Sequence, residues 1–146
     1  LGGAALLFAA AELELEALVL ESVYAALDEA TADRLELHLG AWARPLAGAL
    51  LLQSGWWLGA SAEEFRPAAY AARLRTPTLL LVGDRDRHAP ESASRSIVAS
   101  APPGIARLHV VRGAGHGDLH AHDAAVYEAV VGAFLAERLG LPALGA

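Results

Sequence analysis

The run Thr78-Leu79-Leu80-Leu81-Val82, closed by Gly83, constrains the fold more than any other segment. It is apolar almost throughout and does not alternate with polar residues, so neither of its faces can be left to water. A strand of that kind belongs inside a parallel sheet, where helices cover both faces. Two further runs support the same reading. Ala17-Leu18-Val19-Leu20 predicts a strand over 17–21, and Arg107-Leu108-His109-Val110-Val111 predicts one over 107–112. Helical patterns separate them. Residues 4–11 read as a buried helix. Residues 22–39 read as an amphipathic one, with Val23, Leu27, Ala30 and Leu37 near one face. Between about 40 and 75 the pattern is irregular, punctuated by Pro45, Gly55, Gly59 and Pro67, and predicts two or three short helices. Pro90 and Glu91 suit a helical first turn. A last helix over 121–139 carries the stripe Val126, Val130, Val131, Phe134 and Leu135 before Gly140 and Pro142 stop it. The order predicts an α/β architecture: parallel strands joined by right-handed crossovers, with flanking helices and a short helical excursion. No linker or repeat divides the chain, so residues 1–146 read as part of one domain.

Composition narrows the function. The chain has 146 residues and a formal net charge of -6; all its basic residues are Arg. With no basic patch, nucleic acid is not an expected partner. The absence of Cys excludes a disulfide framework, a thiolate metal site and a Cys nucleophile within these residues. The apolar N-terminal run is too short to span a bilayer and lacks a basic flank, so it reads as a helix rather than a leader. No membrane span is expected. The cytoplasm is the expected compartment, with periplasm and secretion left open. The chain opens on Leu1 and contains no Met, which reads as a piece of a longer protein.

Two loops carry the chemistry. Gly83-Asp84-Arg85-Asp86-Arg87-His88-Ala89-Pro90 follows the central strand, and Gly113-Ala114-Gly115-His116-Gly117-Asp118 follows the next. In a parallel sheet both fall at the carboxyl edge, where ligands sit. Asp86 is the candidate acid and His116 the candidate base; Asp84 and Glu21 compete with Asp86, since each also ends a strand. His116, Asp118, His120 and His122 superficially resemble a metal cluster, but they straddle a loop-to-helix junction, so no metal site is assigned. His88 reads as a solvated residue or as part of a site entrance. His38 and His109 read as structural. Trp42, Trp56, Trp57 and Phe65 read equally well as a cap over a pocket and as ordinary core.

With these residues in place, the chain resembles the α/β-hydrolase family over essentially its whole length. Gly83-x-x-Asp86 with Pro90 resembles the acid loop, Gly115-His116 the histidine loop, and Leu1-Gly2-Gly3 the end of the nucleophile elbow Gly-x-Ser-x-Gly-Gly. Leu20 to Tyr24 and the tail from Asp118 to Leu135 resemble bacterial serine-aminopeptidase-like and dienelactone-hydrolase-like branches. The resemblance implies the C-terminal part of that fold, with the nucleophile just upstream of Leu1. It implies that Asp86 orients His116, that His116 serves as general base, and that the Leu1 backbone N–H lies in the oxyanion hole. The implied activity is hydrolysis of a carboxylic ester, a small-molecule substrate, without metal or organic cofactor. Amide or peptide hydrolysis is the alternative within enzymes, and a non-catalytic binding domain the alternative outside them. By itself the chain is expected to lack triad-dependent activity. Oligomeric state is not legible.

Overall fold

The computed structural model describes residues 2–10, 12–59 and 64–142. Three parallel strands, β1 (Leu18–Glu21), β2 (Thr78–Gly83) and β3 (Ala106–Val111), form one sheet in the order β1-β2-β3. Leu20 lies opposite Leu80, and Leu80 opposite Leu108. The α/β expectation is therefore met, with β2 at the centre. Every residue of β2 is buried, which is why its sequence does not alternate. Its side chains divide between two cores. Leu80 packs with Leu7, Leu20, Leu74 and Ile97 on one face. Leu79 and Leu81 pack with Val111, Leu119 and Phe134 on the other.

Helices cover each face. On the Leu80 side lie α1 (Gly2–Ala9), α4 (Pro67–Ala71) and α5 (Glu91–Ser100). The opposite face is covered by α6 (Leu119–His122) and α7 (Ala124–Leu139). The excursion after β1 comprises α2 (Leu27–Leu39), a 3₁₀ turn at Ala41–Ala43 and α3 (Leu46–Leu58). Pro90 is the N-cap of α5 rather than its first helical residue, and Glu91 follows it in the first turn.

Two expected helices differ. The helix expected over 22–39 begins only at Leu27. Ser22 adopts φ +48 and Ala26 is extended, so the chain first turns off the strand end. The helix expected over 121–139 is two helices, because the backbone of Asp123 leaves the helical conformation between them. Asp118 accepts a hydrogen bond from Ala121 N–H and Asp123 one from Val126 N–H, so each aspartate caps its own helix. Ala11, at the end of the expected 4–11 helix, lies outside the described residues.

Trp42, Trp56 and Trp57 are not core. They are 70%, 88% and 81% exposed, on or beside α3. Phe65, by contrast, stacks edge-on against Phe8 at 6.2 Å between centroids. Among the described residues, no helix is long and apolar enough to cross a membrane.

The packing predicts a clear contrast. Leu80→Ala removes a fully buried side chain from the central strand and should lower unfolding stability by about 2–5 kcal/mol. Leu52→Ala, on an exposed position of α3, should change it by no more than about 0.5 kcal/mol. Urea unfolding of both variants measures the difference; equal losses would contradict the placement of the core.

Candidate active site

β2 and β3 end side by side, and their two loops are knitted together by backbone. Gly83, the last residue of β2, lies so close to the histidine loop that a Cβ there would fall 2.2 Å from the Ala114 carbonyl oxygen. That distance is impossible for any side chain, so the position requires glycine. Arg85 N–H donates to the same Ala114 carbonyl at 2.9 Å, and Asp84 N–H to Val111 at 3.1 Å. The Asp84 side chain in turn accepts from Gly113 N–H at 2.7 Å. Asp84 therefore ties one loop to the other.

This clamp sets Asp86 beside His116. The imidazole Nδ1 lies 2.9 Å from Asp86 Oδ2. The other carboxylate oxygen, Oδ1, accepts from the backbone N–H of His88 at 2.8 Å and of Ala89 at 2.9 Å. The Asp86 side chain is wholly buried, whereas His116 is 43% exposed. Burial alone would raise the Asp86 pKa. The bonds from Ala89 N–H, His116 and His88 N–H outweigh it and hold the carboxyl below its ordinary value. Asp86 is thus an ionised acceptor, and its partner nitrogen on His116 is the protonated one. That tautomer leaves Nε2 with its lone pair.

Ser22 lies beside this pair and was not singled out by sequence as a site residue. Its positive φ at the end of β1 brings its Oγ near Asp86, where it adds to the lowering of the acid's pKa. The Oγ is buried but completes no well-formed hydrogen bond. It is a close polar neighbour of Asp86 and not a third bonded donor. Ser22, His116 and His88 line a cavity of about 450 Å³ whose far wall is helix α2, including Leu27 and Leu35.

The remaining candidates are placed elsewhere. Glu21 accepts a hydrogen bond from the Tyr127 hydroxyl at 2.5 Å, and that bond is the main reason the Tyr127 pKa is pushed up to about 12. His120 pairs with Glu128, and His122 reaches the Arg112 carbonyl. Asp118 caps α6. Among the described residues, no group of three or more His, Asp or Glu is arranged to hold a metal. His88 is not a solvated bystander: its ring lies 5.0 Å from the His116 ring and 6.1 Å from that of His38. Leu1, the expected oxyanion-hole donor, lies outside the described residues. Gly3, two residues further on, packs against Val23, where a Cβ would fall 2.5 Å from a Val23 methyl.

No family model matches the sequence, and no curated protein matches it. Solved structures do. A Mycobacterium tuberculosis puromycin-hydrolyzing peptidase matches 99% of this chain with 22% of its own, at 23% identity and a TM-score of 0.68. An α/β-hydrolase enzyme from a lagoon-sediment metagenome matches 94% with 58% of its own, at 18% identity and a TM-score of 0.63. A serine hydrolase involved in carbazole degradation matches 94% with 61% of its own, at 16% identity and the same TM-score. The chain shares the α/β-hydrolase fold with these proteins and spans less than two thirds of each.

Two outcomes follow from the clamp and the acid. Gly83→Ala should force Ala114 away, costing about 1–3 kcal/mol of stability and moving the His116 ring resonances; unchanged resonances would contradict the clamp. Because the folded pKa of Asp86 is lowered, the unfolded chain binds the extra proton first, and stability rises with pH through that window. The contribution is complete above the ordinary carboxylate pKa of about 3.9 and is lost as pH falls through the lower folded value. The stability difference between the wild type and Asp86→Asn should therefore be constant above pH ~5 and shrink in stronger acid. A difference independent of pH would show that Asp86 is not a stabilised carboxylate.

Proposed function

We propose that this chain is the acid-and-base portion of a serine hydrolase that cleaves carboxylic esters. The observation that carries this reading is the 2.9 Å pairing of Asp86 with His116 Nδ1 at the carboxyl edge of the sheet. Asp86 fixes the tautomer and steadies the imidazolium that forms, while Nε2 takes the proton of a nucleophile and later returns it to the leaving group. A serine hydroxyl is a weak nucleophile at neutral pH and needs such a base. In this reading the serine directly precedes Leu1 in the longer protein, and the Leu1 N–H is one oxyanion-hole donor. Gly2-Gly3 supports that placement, because the small residue at position 3 lets the start of α1 lie against Val23 beside the end of β1. The likeness to a puromycin-hydrolyzing peptidase supports amide cleavage by the same pair as the second reading. The expected compartment is the cytoplasm.

The test is hydrolysis of a nitrophenyl butyrate ester and of an amino-acyl anilide by the longer protein containing the segment before Leu1. His116→Ala should lower kcat/KM by at least about 10³-fold, and Asp86→Asn by about 10⁴-fold. The 146-residue chain alone should turn over neither substrate. Activity of that chain, abolished by His116→Ala, would overturn the upstream nucleophile; activity of the longer protein indifferent to His116 would overturn the whole reading.

A further inference from the structure

The cavity beside His116 has an unusual cation. Arg34, on α2, lines it together with Leu27, Leu35, Ser22, His88 and His116. The acids closest to Arg34 along the helix are already committed: Arg44 pairs with both Asp33, at 2.6 Å, and Glu36, at 2.7 Å. Among the described residues, Arg34 itself makes no ion pair and no side-chain hydrogen bond. Its charge is felt instead by His88, whose pKa is lowered first by burial, then by His116 and by Arg34. His88 also lines this cavity. His88 Nδ1 is buried and has no hydrogen-bond partner. A buried polar nitrogen left unpaired costs free energy that a ligand can recover. The cavity thus combines apolar walls on Leu27 and Leu35, an unengaged guanidinium and an unsatisfied imidazole nitrogen. That guanidinium stands on a chain whose net charge is -6.

We propose that Arg34 and His88 make this cavity a carboxylate-recognition subsite, so that the substrate carries a free carboxylate on the portion seated against α2, away from the bond that is cleaved. The inference rests on the hydrolase reading for the word substrate, but the binding chemistry does not. A planar guanidinium presents paired N–H donors that match the two oxygens of a carboxylate. His88, given an acceptor facing it, supplies one more donor from Nδ1 in the tautomer that carries the proton there. Leu27 and Leu35 accept the hydrocarbon part. Arg34 is a specificity-determining residue in this account: it selects a charged substrate over a neutral one of the same shape and takes no part in proton transfer.

The experiment compares two probes of nearly equal shape, phenylacetate and phenylacetamide, titrated into the 146-residue chain at neutral pH and low salt, with the ring signals of His88 and His116 as the readout. The carboxylate should bind at least five-fold more tightly than the amide, and added salt should erode the difference. Arg34→Gln should abolish the preference while leaving the amide affinity unchanged, and Arg34→Lys should restore part of it. Arg34 is exposed and, among the described residues, unpaired, so neither substitution threatens folding. Equal affinity for the two probes in the wild type, or a preference that survives Arg34→Gln, would overturn the proposal. The binding readout needs no nucleophile. It can therefore fail while ester hydrolysis by the longer protein stands, and it can succeed while hydrolysis fails.

Discussion

The approach of Gly83 to the Ala114 carbonyl is the constraint on which the rest of the site depends. It brings two strand-end loops within backbone hydrogen-bonding distance, and no side chain can intervene. Once they are clamped, Asp84 and Arg85 hold the histidine loop through three hydrogen bonds, and Asp86 follows in the same turn. The carboxylate then meets two N–H groups of its own loop and the imidazole of the other. Each of its oxygens is satisfied, which makes a fully buried acid tolerable. The order of dependence runs from backbone to side chain. Contact between the loops comes first, and the orientation of His116 follows from it.

The sheet supplies the stiffness behind that clamp. β2 is buried along its length and shares its leucines between two cores, so any shift of Gly83 would have to drag packed residues on both faces with it. The excursion after β1 is different in kind. Helix α2 has no fully buried residue, and the tryptophans on and beside α3 stand in the open. The rigid part of the molecule holds the acid and the histidine, and the loosely packed part supplies the cavity wall facing them. In the proposed reading, chemistry and recognition are carried by segments of unequal packing, as is common where one scaffold supports different specificities.

How much of this was legible from sequence depended on the range of the interaction. Strands announce themselves by burial, so β2 could be read directly, and the two loops followed from the strand ends. That placed Asp86 and His116 on adjacent strand ends, and the structure brings their side chains within 2.9 Å of each other. Local conformation was harder to read. Nothing in the periodicity of 22–39 reveals that Ser22 turns through positive φ, and one non-helical aspartate at 123 divides an otherwise continuous helical pattern. Asp84 and Glu21 could not be told apart from Asp86 by position alone. Their distinct partners, Gly113 and Tyr127, lie 29 and 106 residues away along the chain. Arg34 and His88 were the least visible. They meet across a cavity formed by a helix and a loop more than fifty positions apart, and no local pattern marks that meeting. Leu1 falls outside the described residues, so its expected role rests on the sequence resemblance alone.

The bond between Tyr127 and Glu21 has a consequence for the order of assembly. It joins β1 to α7, and the three strands among the described residues pair in parallel across long crossovers. Such contacts reward the chain only after long loops have closed, which places the fold among slowly forming topologies. On a ribosome, β1 emerges long before any strand in this chain can pair with it. The acid loop likewise waits for the histidine loop, since Gly83 has nothing to press against until Ala114 has been made. The site therefore cannot exist in a partly synthesised chain. It can form only once both strand-end loops have been made, and the bond from Tyr127 to Glu21 then ties α7 back to β1.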